Sequence, residues 1–457
     1  MITIREKPDR VEKALLVGVF KDAAQKQEAE NLLDELKSLV STFGIPMAES
    51  LLVRVAEPSP RYFVGSGKAE EILSYSKRIG AEVIIFDNEL SPAQQRNWEA
   101  MSGIAVIDRQ EIILDIFAQR AQTKEARLQV ELARMEYSLP RLTRAWGHLN
   151  RQAGGLGGKG EGEAQLETDR RLVRHRIDRL KEDLELVRSR RATQRKKRVR
   201  LPLPNCAIVG YTNAGKSALL KKLTGAQVLV EDKLFATLDT TTRRVELPTG
   251  QGLLLTDTVG FVRNLPHRLV EAFKATLEET VLSDFLVHVL DASHPQVYEF
   301  CSTTLKVLEE LGADSKKMIT VLNKVDRIAD ESTLHALRLH FPDSVFASAL
   351  TGEGLDDLLH RLADMLAERV AKVEVALPLD RTDLLSLLHR ASRVLSVGYE
   401  QGYVKVVAAV SPKVYARMEP YLVKPKEALS GWWSDAWSSR SGLHHRDAEG
   451  QQFRIAD

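Results

Sequence analysis

Eight consecutive residues, Gly210-Tyr211-Thr212-Asn213-Ala214-Gly215-Lys216-Ser217, read G-x-x-x-x-G-K-S. Glycines at that spacing let successive backbone N–H groups wrap an anion, the lysine reaches β- and γ-phosphate oxygens, and the serine hydroxyl is a hard oxygen ligand for Mg²⁺. The run follows the apolar Cys206-Ala207-Ile208-Val209 and precedes Ala218-Leu219-Leu220, the strand-to-helix setting a phosphate loop needs. Alone it specifies a nucleoside triphosphate and no particular base.

Segments downstream supply the discrimination. Leu253-Leu254-Leu255-Thr256 runs into Asp257-Thr258-Val259-Gly260, where an aspartate can hold the water shell of a metal and a glycine N–H can face a γ-phosphate. Ile319-Thr320-Val321-Leu322 leads to Asn323-Lys324-Val325-Asp326, whose carboxylate can accept from N1–H and the exocyclic amine of guanine, whereas adenine presents the opposite pattern. Ser348-Ala349-Leu350 offers a backbone contact to the guanine carbonyl. Between the phosphate loop and D-T-V-G lies Phe235-Ala236-Thr237-Leu238-Asp239-Thr240, where a switch segment would add one hydroxyl, from Thr237, to Mg²⁺ when the γ-phosphate is present. Phe261 follows D-T-V-G, so the glutamine that positions water in Ras-like enzymes is missing and no catalytic side chain is assigned. Intrinsic hydrolysis is expected to be slow without a partner. Asn213 is the candidate ligand for a K⁺ that would supply charge beside the phosphates.

These residues need strands to present them, and the rest of the chain supplies more. At 457 residues and about 150 per domain, roughly three domains are expected. Residues 1–110 alternate short apolar runs, such as Ala14–Phe20, with helical stretches, the rhythm of an α/β domain with a mainly parallel sheet. Over 111–200, Leu128, Leu132, Met135 and Leu139 form one seam of helical spacing, and Val173, Ile177, Leu180, Leu184 and Val187 another. The glycine-rich segment from about 150 to 163 separates them, which predicts a long antiparallel helical hairpin. Residues 201–370 are the P-loop domain; 371–425 read as a small α+β domain, with a helix from about 380 to 395. Residues 426–457, polar and bearing Trp432, Trp433 and Trp437, read as a flexible tail.

Charge refines this plan. With 65 basic and 63 acidic residues the chain carries only +2, yet residues 170–200 hold 14 Lys and Arg against 4 Asp and Glu, a local +10 balanced by −8 elsewhere. An exposed helix face could carry such charge in water, but its density, with Arg190, Arg191, Arg195, Lys196, Lys197, Arg198 and Arg200 at its end, points to an RNA contact. Two cysteines, Cys206 and Cys301, are too few for a disulfide framework or a four-cysteine zinc site. The first residues lack the apolar core of a signal peptide and no run long enough to span a membrane occurs, so a cytoplasmic protein is expected.

Over nearly all of residues 12–410 the chain resembles the HflX family of ribosome-associated GTPases, within the wider Obg-like group. The segments FDNELSPAQQRN at 86–97, VIDRQEIILDIFAQRAQTKEARLQVELARMEYSLPRL at 106–142 and GGLGGKGEGEAQLETDRR at 154–171 carry the resemblance beyond the shared GTPase motifs. It implies an N-terminal domain and hairpin joined to a GTPase domain, binding to the large (50S) ribosomal subunit and its rRNA, and GTP hydrolysis stimulated there. It also implies a part in dissociating stalled ribosomes under stress. Thr240, where the family usually has proline, and Ala218, where it usually has threonine, depart from the pattern without removing an expected ligand. A ribosome-assembly GTPase is the near alternative, and a nucleotide-gated coiled-coil scaffold a more distant one. Two to three heptads on each side of a glycine hinge suit a hairpin within one chain, hence a monomer when free.

Overall fold

Ala14-Leu15-Leu16-Val17 has no polar interruption, the pattern of a strand buried on both faces, and it forms the centre of β1 (Lys13–Phe20), where all four residues are inaccessible to solvent. In the computed structural model, residues 11–144, 161–198, 203–225, 234–235, 237–263, 279–367, 371–410 and 412–423 are described, without the side chains of 143, 144, 161–166, 188, 190–198, 367, 371, 393, 412 and 413. The chain divides into two units, Met1–Val370 and Ala371–Asp457.

In the first unit β1 lies beside β2 (Met47–Arg54) and β3 (Val83–Phe86), with β4 (Ala105–Asp108) outermost; the order is β2-β1-β3-β4 and every pairing is parallel. Alternation along the strands sends Ala14, Leu16 and Ile85 to one face and Leu15, Val17 and Ile84 to the other. The first face receives α1 (Lys26–Phe43) and α4 (Arg109–Arg120); the second receives α2 (Ser66–Ile79) and α3 (Pro92–Ser102), with Trp98 fully buried. The start of α3 carries a capping box between Ser91 and Gln94 with proline in the first turn.

The two predicted seams meet. Leu132, Val173, Ile177, Leu180 and Leu184 form one buried cluster, with Leu128, Met135 and Leu139 packed against it, between α5 (Lys124–Ser138) and α6 (Glu161–Arg198). Ion pairs flank the apolar seam. Arg176 pairs with Glu131 (2.6 Å) and Lys181 with Glu136 (2.9 Å). These pairs flank the seam on either side of Leu132 and Met135. Of the glycine-rich segment expected from about 150 to 163, residues 150–160 lie outside the described residues, and 161–163 already belong to α6, which begins at Glu161.

Residues 205–367 build a six-stranded sheet, order β10-β9-β8-β5-β7-β6, from β5 (Asn205–Gly210), β6 (Thr241–Glu246), β7 (Gly252–Asp257), β8 (Phe285–Asp291), β9 (Met318–Asn323) and β10 (Val345–Phe346). Only β6 runs antiparallel. One face packs on α7 (Lys216–Thr224) and α10 (Leu355–Ala367). The other shares a core with α8 (Val297–Glu310) and with the α1/α4 face of the N-terminal sheet, so Leu36, Ile113, Phe117, Val209, Phe235, Phe261 and Phe300 belong to one continuous cluster. α9 (Glu331–His340) closes the remaining edge. Because β5 pairs in parallel with β7 on one side and β8 on the other, the sheet reverses its winding there, and a doubly wound sheet places its ligand crevice at the carboxyl ends of strands at that point.

The second unit is a three-stranded antiparallel sheet, order β11-β13-β12, from β11 (Ala371–Pro378), β12 (Arg393–Glu400) and β13 (Tyr403–Val410), with α11 (Thr382–Ala391) and α12 (Pro412–Met418). The predicted helix stops at Ala391 instead of 395, because Val394, Val397 and Tyr399 are β-formers in a hairpin turned at Gln401-Gly402, where Gly402 has φ 94°. No helix among the described residues is long and apolar enough to cross a membrane.

Candidate functional site

At the carboxyl ends of β5, β7 and β9 the unit encloses a cavity of about 560 Å³. Its lining joins the segments singled out from sequence: Thr212, Asn213, Gly215, Lys216 and Ser217 from the loop after β5; Thr237; Thr258 and Gly260 after β7; Asn323, Lys324 and Asp326 after β9; and Ala349 and Leu350. Two glycines are fixed by space. A Cβ at Gly215, which has φ 94°, would lie 2.2 Å from Asn323 Nδ2, and one at Gly260 would lie 2.7 Å from Thr212 Cα. Side chains at either position would fill the cradle.

Lys216 Nζ donates to the carbonyls of Gly210 (3.2 Å) and Tyr211 (2.8 Å). Burial, with Lys324 nearby and only partial compensation from Asp257, lowers its pKa to about 8, so an anion in the cavity would restore a charge the protein alone holds weakly. Ser217 Oγ lies 2.6 Å from Thr237 Oγ1 and donates to Asp257 Oδ2 at 2.6 Å. Burial raises the Asp257 pKa against the pull of Lys216. Its Oδ1 is buried without a hydrogen-bond partner. A divalent metal is implied by the GTPase fold, and the donors fit Mg²⁺: two hydroxyls and a carboxylate, all hard oxygen, with one carboxylate oxygen still uncommitted. No group of three or more His, Cys, Asp or Glu that could hold a metal occurs among the described residues.

The opposite end of the cavity is held rigidly. Asn323 Nδ2 donates to the Ala214 carbonyl (2.8 Å), and its Oδ1 accepts from the Ala349 N–H (3.0 Å), so one side chain ties the phosphate loop to the S-A-L turn. Ser348 Oγ donates to Asp326 Oδ1 (2.5 Å), orienting a carboxylate whose remaining lone pairs face the cavity side. Lys324 takes φ 66° and pairs with Asp291 at 2.7 Å.

Other residues named from sequence turn away. Val259, Val325 and Leu238 are buried in apolar surroundings, Ser348 is fully buried, and Phe261 is packed in the core while its backbone bonds the phosphate loop through Gly210 and Thr212. Ala236 and Arg200 lie outside the described residues, and for Arg190, Arg191, Arg195, Lys196, Lys197 and Arg198 only the backbone, at the end of α6, is described. Asp239 does not line the cavity: its carboxylate accepts from the Gln122 and Thr123 N–H groups (2.9 and 3.1 Å) and from Thr123 Oγ1 (2.5 Å).

Tyr211 also points out of the cavity, into a buried charge network that sequence reading missed. Its hydroxyl donates to Glu35 Oε1 (2.5 Å) on α1 and accepts from the Arg263 N–H (2.8 Å), while its ring stacks on Phe300 at 3.8 Å. Glu35 faces Arg109 (3.0 Å) and Arg263 (3.5 Å); Arg109 also pairs with Asp87 (2.8 Å) and Arg263 with Glu299 (2.9 Å). Burial opposes the charge on Arg109, but Glu35 and Asp87 outweigh it and hold the guanidinium more firmly protonated than usual. Burial and Glu35 together push the Tyr211 phenol above its ordinary value. The phosphate loop and the segment after D-T-V-G are thus wired into the N-terminal α/β layer.

Comparison with known proteins agrees with this arrangement. Residues 30–118 match the model of the GTP-binding GTPase N-terminal region, 120–198 the GTP-binding GTPase middle region, 205–324 the 50S ribosome-binding GTPase, and 338–428 the HflX C-terminal domain. The GTPase HflX of Akkermansia muciniphila is 50% identical over 434 residues, covering 92% of this chain and 99% of its own length. That of Escherichia coli is 44% identical over 371 residues, 81% of this chain and 86% of its own. Among solved structures, a GTP-binding protein from Sulfolobus solfataricus in complex with GDP covers 78% of this chain and 99% of its own at 23% identity and a TM-score of 0.40. With its GTPase site assembled and relatives this similar along nearly the whole length, the chain belongs to the HflX family of GTPases and hydrolyses GTP to GDP and phosphate.

Proposed function

We propose that this GTPase acts on the large (50S) ribosomal subunit and separates stalled ribosomes under stress, with the subunit stimulating hydrolysis. The observation that carries the reading is the match of residues 205–324 to the 50S ribosome-binding GTPase model, in a chain whose relatives share both the hairpin region and the GTPase domain. In this reading the free protein is a cytoplasmic monomer, and the basic residues between Arg190 and Arg200 meet rRNA phosphates. Such contacts release counterions, so affinity falls steeply with salt.

Within the site, the N–H groups of the loop from Gly210 to Ser217 and the Lys216 ammonium bind and orient the phosphates. Asp326, held by Ser348, accepts from the guanine edge, and Asn323 keeps the loop and the Ala349 turn in register. Ser217 and Thr237 would hold Mg²⁺ directly and Asp257 through its water shell. When bound, that ion supplies positive charge to the phosphate oxygens. Thr237 senses the γ-phosphate and Gly260 contacts it through its N–H. No side chain at position 261 reaches the attacking water, since Phe261 is buried; the missing charge falls to the ribosome and to a K⁺ held by Asn213. Equal hydrolysis rates in K⁺ and Na⁺ buffers would remove the K⁺ from this scheme.

Cosedimentation with purified large subunits over a salt series tests the RNA face. Replacing Arg195, Lys196, Lys197, Arg198 and Arg200 by glutamine is expected to weaken binding and flatten its salt dependence. Binding with an unaltered salt slope would overturn the assignment.

A further inference from the structure

Thr237, the hydroxyl beside Ser217, sits in a segment that the N-terminal layer grips at several points. The Leu234 N–H donates to Thr42 Oγ1 of α1 (3.3 Å). Phe235 packs edge-on against Phe117 of α4, ring centroids 4.5 Å apart. Its φ of 54° is a conformation that a bulky side chain adopts only when its surroundings impose it. Two residues beyond Thr237, Asp239 accepts two backbone N–H bonds and one hydroxyl bond from Gln122 and Thr123, at the start of α5. Thr123 is itself the N-cap of α5: Oγ1 accepts from the Ala126 N–H (3.1 Å) while it donates to Asp239. The Asp239 carboxylate therefore completes the cap of the hairpin's first helix, where the helix dipole also favours an anion. Two residues of chain reach at most about 7 Å, so an Asp239 fixed to α5 leaves Thr237 little freedom to leave Ser217.

We infer that Asp239 and Thr123 are positioning residues for the GTPase site: their cap ties the switch segment to the hairpin, so that Thr237 meets its γ-phosphate-dependent partner only while α5 is docked. This goes beyond the proposed ribosomal role and rests on one part of that reading, Thr237 as the sensor of the γ-phosphate. The coupling is reciprocal: a nucleotide that holds Thr237 in place also stabilises the first turn of α5, and a ligand that tilts the hairpin weakens the hold on Thr237.

The test uses the full chain and compares affinity for a non-hydrolysable GTP analogue with affinity for GDP, by fluorescent-nucleotide titration, in the unmodified protein and in the Asp239→Ala, Thr123→Ala, Asp239→Asn and Thr237→Ala variants. Asp239→Ala is expected to lower the GTP-over-GDP preference about fivefold, the equivalent of one N-cap, with GDP affinity within about twofold of the unmodified protein. Asp239→Asn, which keeps an acceptor oxygen, restores part of the preference. Thr123→Ala, which leaves the carboxylate in place, shows a smaller loss that is not additive with Asp239→Ala. Hydrogen exchange adds a readout that a merely structural cap would not move: amides 122–127 are better protected with the GTP analogue than with GDP, and Asp239→Ala abolishes that difference. If Thr237→Ala lowers the preference while Asp239→Ala and Thr123→Ala leave both preference and exchange unchanged, the latch is wrong. If Thr237→Ala leaves the preference unchanged, the reading of Thr237 fails and takes the latch with it.

Discussion

Replacing Glu35 by alanine should cost the first unit about 3 kcal/mol. Glu35, whose side chain is only 9% exposed, faces Arg109 at 3.0 Å and Arg263 at 3.5 Å and accepts from Tyr211. The guanidiniums left behind are 3% and 10% exposed, too little for water to replace the lost carboxylate. Removing one member of a buried ion pair typically costs about 3–5 kcal/mol, because the partner stays buried and uncompensated. Arg109 keeps Asp87 and Arg263 keeps Glu299, which places the expectation at the lower end of that range. Glu35→Gln, which keeps an acceptor for Tyr211, should cost less than alanine. Equilibrium urea unfolding, read through exchange of the β1 and β5 amides, reports the stability of this unit. A loss for Glu35→Ala within about 0.5 kcal/mol, the usual range of a surface substitution, would refute the idea that this network joins the two layers.

Other consequences follow from the same packing. Lys216 has a pKa of about 8 in the free protein, so nucleotide affinity should fall as pH rises above 8, by up to about tenfold per unit, and binding near pH 8.5 should take up a proton; calorimetric enthalpies independent of buffer ionisation there would contradict this. His288 on β8 is fully buried, and burial, with Lys216 adding to it, lowers its pKa to about 4 from an ordinary 6.5. The unfolded chain then binds the extra proton between those values, so the stabilisation is present above pH 6.5 and lost as pH falls to 4, about 3 kcal/mol in all. Urea midpoints for His288→Leu should lack that part of the acid slope. Leu180→Ala, in the hairpin seam where Leu180 is 0% exposed, should destabilise the α5–α6 pair by about 2–5 kcal/mol, seen as faster exchange in both helices.

Much of this was legible because the chemistry is local in sequence. A phosphate loop needs its glycines, lysine and serine in one short run, and N-K-V-D and D-T-V-G end apolar strands that their own composition announces. Parallel strands such as β1 and β3 show as unbroken apolar runs for the same reason. What sequence hid is long-range. Glu35, Asp87, Arg109, Tyr211 and Arg263 look like ordinary residues of five separate segments until the shared core brings them together. Asp239 lies inside the switch segment, and only its partner 116 residues earlier reveals that it caps a helix. The seam's partners were hidden as well: Arg176 and Lys181 meet Glu131 and Glu136 only once α5 and α6 pack together. β12 was read as the tail of a helix because its Val394-Leu395 continues the apolar stripe of α11, while the strand pairing that claims it comes from Tyr403–Val410.

With Phe261 where a Ras-like site has its water-positioning glutamine, we propose that the large ribosomal subunit completes the site. Single-turnover GTP hydrolysis by the full chain, with and without saturating purified large subunits, tests it most directly. The account predicts slow hydrolysis alone and a rise of at least about tenfold with the subunits, since each 1.4 kcal/mol of transition-state stabilisation supplied in trans is a decade in rate. An unchanged rate, with the subunits demonstrably bound, would contradict it.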